Sequence, residues 1–178
     1  MSSHLHDDVL RFCSRCGKTL AKSLLKPNEP ERPVCQACGH VVYLDPKVAV
    51  GTIISNEHKQ VAMVRRAIEP GYGKWVFPGG YVDRGEELLA AATREAWEEA
   101  RLRVRIDGLV NIYSYAGRVP IIIVYAATPV GGELRAEDES LEAEWFAESD
   151  LPWSELAFPS TRQGLHDYFQ GILHPHIA

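Results

Sequence analysis

The chain lacks the features that would take it out of the class of ordinary soluble domains. Its longest apolar run, Val119 to Ala127, contains Pro120 and falls far short of the about 20 residues that cross a bilayer. Residues 1–12 (MSSHLHDDVLRF) hold two Asp and two His and no apolar stretch, so no secretory signal is expected there. Positive charge is not in excess. The 19 Lys plus Arg stand against 24 Asp plus Glu, a net charge of −5. A protein that coats nucleic acid needs a basic face, and this balance argues against one. Neither internal repeats nor low-complexity tracts occur. With 46% hydrophobic residues, 178 residues can bury a real core, which excludes disordered and collagen-like classes. These absences predict a soluble, cytoplasmic protein with no membrane partner, built as one domain with room for a small appendage.

Cysteine is scarce too, but it is not scattered. The four residues stand as Cys13-x2-Cys16 and Cys35-x2-Cys38, each pair followed by glycine, Gly17 and Gly39. Two such knuckles offer four thiolates to a structural zinc ion, which takes them in a tetrahedron. The alternatives are two disulfides or four free thiols, and the missing signal disfavours disulfides. His40 is read as a spectator. Pro27, Pro30 and Pro33 mark an exposed loop between the knuckles. A closed tetrathiolate leaves no open position for chemistry, so this ribbon is structural.

After the ribbon, strands and helices interleave. Val48–Ser55 and Val61–Val64 read as a hairpin, and Trp75–Phe77 as a short strand stopped by Pro78-Gly79-Gly80. A helix is expected over 86–100, strands over 103–115 and 119–128, a turn at Gly131-Gly132, a strand over 142–147 and a closing helix over 160–170. Strands between two helices suggest an α/β fold: a mixed sheet in an α/β/α layering.

On the central helix Leu89, Ala92, Thr93, Ala96 and Ala100 form one stripe that can face the sheet. Glu95, Glu98 and Glu99 cluster on another side. A solvated face normally pairs Glu with Lys or Arg one turn on, whereas Glu95 is followed by more acid. Residues 83–99 hold six acids and two bases. Such a cluster is stabilised by a divalent cation, and Mg2+ suits a few carboxylates plus substrate phosphates. The stretch Gly79 to Glu86 before it is a glycine-rich loop that can bring backbone groups close to a metal or phosphate.

Together these residues resemble the Nudix hydrolase signature, G-x5-E-x7-R-E-U-x-E-E-x-G-U with U aliphatic. The chain supplies Gly80, Glu86, Arg94, Glu95, Ala96, Glu98, Glu99 and Leu102 at the required spacings. Arg101 stands where the signature has its second glycine, which normally ends the helix in a left-handed conformation. An arginine there costs roughly 1 kcal/mol or the helix exits differently. The resemblance implies a Nudix α/β/α sandwich over 46–178, preceded by an N-terminal segment and zinc ribbon over 1–45. It implies Mg2+ (or Mn2+) held by Glu95, Glu98 and Glu99, with the Gly79 or Gly80 carbonyl assisting. Arg94 would orient the glutamates and Glu86 brace the loop. A general base would come from Glu139, Glu142 or Glu144, with Glu142 favoured, in a stretch (133–150) of eight acids and one base.

The substrate class implied is a nucleoside diphosphate linked to another group. A four-cysteine ribbon also precedes the Nudix domain in NADH pyrophosphatases, but their Ser-Gln-Pro-Trp-Pro-Phe-Pro-like motif is not found; the region reads Asn111 to Ala116 instead. Glu139 to Glu142, Trp145-Phe146 and Leu151 to Phe158 are similar to ribbon-bearing enzymes described as ADP-ribose or FAD pyrophosphatases. Tyr72, Trp75, Tyr81, Tyr113 and Tyr115 are candidates to stack on a base or to pack the core. The leading expectation is cleavage of ADP-ribose or FAD to AMP plus a second monophosphate. NADH pyrophosphatase or capped-RNA hydrolase comes next, then a non-enzymatic ligand sensor, which retention of every glutamate disfavours. The ribbon is only weakly basic, which disfavours nucleic acid as a partner, and the resemblance implies a homodimer.

Overall fold

The computed structural model describes residues 10–137 and 139–175. Most of the segment read for a secretory signal, and Asp138 of the acidic stretch, lie outside the described residues. The chain divides into two compact units, up to Pro46 and from Lys47 on.

In the first unit β1 (Leu20–Ser23) pairs antiparallel with β2 (Arg32–Cys35). The two knuckles repeat one hydrogen-bond pattern: Gly17 donates to the Cys13 carbonyl at 2.8 Å and Gly39 to the Cys35 carbonyl at 2.9 Å. Both glycines take positive φ, 72° and 70°, the left-handed turn that returns each strand past its sulfurs. Among the described residues of this unit only Cys13 and Cys35 are buried.

The second unit holds β3 (Val48–Ile54), β4 (Val61–Arg66), β5 (Trp75–Val76), β6 (Gly79–Tyr81), α1 (Leu88–Ala100), β7 (Leu102–Tyr113), β8 (Ile121–Gly132), β9 (Ser140–Phe146), α2 (Pro159–Phe169) and β10 (His174–Pro175). Five strands form one sheet in the order β10-β7-β8-β3-β6, and β5-β4-β9 form a second. The larger sheet is mixed, since β3 runs parallel to β8 and the other pairs are antiparallel. Alternation along β8 decides the layering. Val124 faces α2, where it lies 3.6 Å from the position a Gly164 side chain would take. Tyr125, its neighbour, packs in a cluster with Ala91 and Ala92 of α1. The helices therefore cover opposite faces, the α/β/α arrangement expected.

Four local expectations change. The hairpin of β3 and β4 closes by a single bridge, Ser55 to Val61, and the strands then part into different sheets. The glycines read as a loop, Gly79 and Gly80, form an edge strand against Gly51 and Val50. Gly131 and Gly132 end β8 opposite Arg103 and Leu102 instead of turning. The helix begins at Leu88, because the Glu86 side chain is engaged outside it.

Candidate active site

The site grows from the entry of α1. The Asp83 amide donates to Glu86 Oε2 at 3.0 Å and the Glu86 amide to the Asp83 carbonyl at 3.0 Å, closing the turn that leads into the helix. Arg94, two turns along, grips this turn as a fork: Nε and Nη2 donate to the two Glu86 oxygens at 2.8 and 2.9 Å. Its remaining reach goes to Glu95 at 2.7 Å, Glu98 at 2.9 Å and the Tyr81 carbonyl at 3.2 Å. One guanidinium thus ties the entry turn, the edge strand and two helix carboxylates. The Arg94 hydrogen bonds, with the Asp83 amide, hold the Glu86 carboxyl down at about 2.

Glu95 lies buried beneath Gly80, whose added Cβ would fall 2.6 Å from both carboxylate oxygens. The empty side-chain position of Gly80 is what admits this carboxylate. Burial raises the Glu95 pKa, and the Arg94 hydrogen bond and charge oppose that rise. Glu99 is 7% exposed and accepts the Gly79 amide proton at 2.9 Å. Burial pushes it up to about 7; the Gly79 amide and Arg66 pull it down, while the charges of Glu95 and Glu139 push it up. Glu98 is more open, at 45% side-chain exposure. The stripe of small residues packs as expected, Ala92, Ala96 and Ala100 being fully buried, and it carries Glu95 and Glu99 inward beside it.

Among the described residues, the four cysteines alone form a group of three or more that could hold a metal ion, their ligand atoms all within 4.8 Å of one another. Glu95 and Glu98 are drawn to Arg94 and Glu99 to Gly79, so the three carboxylates line one region without converging on a point. Their chemistry nonetheless fits a hard divalent ion. The donors are all oxygen, and two are buried anions whose raised pKa records charge that a cation would offset.

The candidate bases separate. Glu142 forms an ion pair with Arg65 across the β4–β9 register, Nη1 to Oε1 at 2.9 Å. Glu144 is exposed opposite Met63. Glu139 is the one whose charge acts on both Glu95 and Glu99. Arg66, passed over in the sequence, acts on Glu99 with the opposite sign, stacks on Phe158 at 5.1 Å and donates to the Pro70 carbonyl at 2.9 Å. The one available signal was a charged pair, Arg65-Arg66, closing an apolar strand. Of the aromatic candidates, Trp75 and Tyr113 are core residues: Trp75 meets Phe146 edge to face at 5.1 Å and Tyr113 donates to Asp167 at 2.7 Å. Tyr115 donates to Gln163. Tyr72 and Tyr81 stay exposed, with the Lys47 ammonium 4.7 Å from the Tyr81 ring.

In the ribbon, Cys13 and Cys38 sulfurs lie 3.8 Å apart and those of Cys16 and Cys35 3.4 Å apart. Zinc–thiolate bonds of about 2.3 Å give tetrahedral edges of about 3.8 Å. The two bonded thiols move in opposite directions: the backbone amide of Cys38, the largest influence, draws Cys35 down, while at Cys16 the lowering effect of the Lys18 amide is outweighed by hydrogen bonds with the other thiols, which push it up.

Comparison with known proteins agrees with this geometry. The NUDIX domain family matches residues 45–168, and the Nudix N-terminal zinc-ribbon family matches residues 11–44. An ADP-ribose pyrophosphatase of Methanocaldococcus jannaschii is 35% identical over 146 residues, 80% of each chain. The NAD-capped RNA hydrolase NudC of Chromobacterium violaceum is 27% identical over 80% of this chain, which spans 52% of that protein. The crystal structure of a NUDIX hydrolase from Nitrosomonas europaea superposes with a TM-score of 0.84 at 31% identity, covering 93% of this chain and 96% of that one. With a matching domain over most of its length and the signature glutamates ordered by Arg94 and the Gly79 amide, the chain belongs to the Nudix hydrolases that carry an N-terminal zinc ribbon.

Proposed function

We propose that the protein hydrolyses the pyrophosphate bond of a nucleoside diphosphate derivative, ADP-ribose or FAD, in the presence of Mg2+ or Mn2+. The observation that carries this reading is the gathering of Glu95, Glu98 and Glu99 along one helix face, with Arg94 and the Gly79 amide fixing them. The substrate class rests on similarity to the ADP-ribose pyrophosphatase of M. jannaschii.

Glu95, Glu98 and Glu99 would hold the cation, with a carbonyl of Gly79 or Gly80. A divalent ion there neutralises pyrophosphate charge and lowers the pKa of a bound water. The chain's own residues do the rest. Arg94 holds Glu95 and Glu98 in register, and the Gly79 amide keeps Glu99 facing inward. Glu139 accepts the proton of the attacking water, the role its charge beside Glu95 and Glu99 suits better than the Arg65-bound position of Glu142. Arg66 offers a cation to a substrate phosphate. Water adds across the P–O–P bridge and two monophosphates leave.

A second reading, NADH pyrophosphatase or capped-RNA hydrolase, is kept by the similarity to NudC. Incubation with ADP-ribose, FAD, NADH and NAD-capped RNA plus Mg2+, with products identified by mass, separates them. AMP with ribose 5-phosphate, or AMP with FMN, is the expected result. Cleavage of NADH or capped RNA alone would overturn the substrate assignment, and no cleavage of any would overturn the activity.

A further inference from the structure

The signature position that departs from the family pattern has an unassigned partner. Arg101 takes the left-handed conformation (φ 54°, ψ 28°) in place of glycine, and its amide still closes the helix onto the Ala96 and Trp97 carbonyls. Its guanidinium lies 5.4 Å from the Trp97 ring centroid, and Nη2 donates to Glu137 Oε2 at 3.1 Å. Arg135 joins the same carboxylate at 3.0 Å, while the Arg135 amide donates to the Ala100 carbonyl at 3.3 Å. Glu137 is therefore clamped to the exit of α1 by side chain and by chain path. Its own carbonyl accepts the Ser140 amide at 3.0 Å, and the Glu139 carbonyl accepts the Ala67 amide at 2.7 Å. Glu139 thus lies between two tethers, the Glu137 carboxylate held by Arg101 and the Ala67 amide just past β4.

We propose that Arg101 is a positioning residue: through Glu137 it fixes the turn that presents Glu139 to the carboxylates of α1. Glycine at this position would end the helix as well and hold nothing. The arginine accepts a strained backbone and gains a side chain that reaches the base-bearing turn. This inference rests on the assignment of Glu139 as the base. The lowered pKa of Glu137, caused first by the Arg101 hydrogen bond, agrees with a persistent pair.

The test compares Arg101→Gly, Glu137→Gln and Glu139→Gln, alone and combined, in the full chain. Arg101→Gly and Glu137→Gln should each lower kcat about tenfold with KM little changed, since misplacing a reacting group by about 1 Å costs up to a hundredfold. Arg101→Lys should recover part of the loss. Tm should stay within about 3 °C of the parent, because relief of the left-handed strain offsets the lost contacts. In the Glu139→Gln background neither substitution should lower kcat further. Hydrogen exchange without substrate or added metal gives a readout that needs no activity: the Ser140 and Ala67 amides should exchange faster in Arg101→Gly. Unchanged exchange at both amides, or a kcat loss that persists additively in the Glu139→Gln background, would overturn the clamp. If Glu139→Gln keeps full kcat, the base assignment falls and the catalytic role of the clamp falls with it. A clamp failure alone shows as a slow Glu139→Gln beside a fully active Arg101→Gly.

Discussion

At the scale of single residues, the site is an economy of charge around Arg94. One guanidinium serves three carboxylates, so Glu99 must be stabilised by a backbone amide and by whatever cation enters. Glu99 carries the sharpest consequence. Its carboxyl titrates at about 7 in the folded protein and at its ordinary 4.5 when exposed. Between these values the native state binds more protons than the unfolded one, so the contribution of this group is most favourable below about 4.5 and is lost as pH rises through about 7. Without added divalent ions, Tm measured from pH 5 to 8 should therefore decline, and Glu99→Gln should flatten that decline and raise Tm at pH 8. With Mg2+ the same substitution, like Glu98→Gln, should lower kcat by about 10²–10³. Unchanged turnover of Glu99→Gln at saturating Mg2+ would remove Glu99 from the site. The signature glutamates were legible in the sequence because one helix sets their spacing. Glu139 was legible only as one of three candidate bases and Arg66 not at all, because the influence of either on Glu99 depends on strands β4 and β9 pairing across a long stretch of chain.

At the scale of elements, what periodicity encodes came through: the helix, the long strands β7 and β8 and the closing helix lie where apolar spacing put them. What depends on a distant partner did not. β4 leaves β3 after one bridge because its fully buried residues, Val61 to Met63, are matched by β9 rather than by β3. Gly79 and Gly80 form a strand because their bareness lets β6 approach β3 on one side and α1 on the other. The two glycines should respond differently. A Cβ on Gly79 would strike the Val50 carbonyl and lie 2.8 Å from the Gly51 Cα, and backbone cannot yield. Gly79→Ala should cost about 1–3 kcal/mol, seen as a lower midpoint in denaturant. The three atoms nearest a Cβ on Gly80 all belong to the far end of the Glu95 side chain, which can swing away. Gly80→Ala should leave stability nearly unchanged while lowering kcat by at least about tenfold through a displaced carboxylate. Equal loss of stability in the two variants would contradict this account of the edge strand.

At the scale of the whole molecule, the two units are stabilised by different physics. The unit from Lys47 on buries a large apolar core, including Ile53, Ile54, Met63, Val110, Val124 and Leu165. The ribbon buries only Cys13 and Cys35 among its described residues, around two four-residue strands, which is far too little apolar surface to offset chain entropy. Metal–thiolate bonds would supply what the core lacks, since structural zinc in small domains contributes about 10–16 kcal/mol at neutral pH. Zinc should therefore be found bound to freshly purified protein, close to one ion per chain. Cys13→Ser or Cys35→Ser should lose that zinc and open the strand pair β1–β2 to rapid amide exchange. The core of the catalytic unit owes nothing to the cysteines, so amides of α1 should stay protected and the folded fraction should keep its turnover. If purified protein lacks zinc, or β1–β2 stays protected after its loss, the ribbon is held by something other than the tetrathiolate.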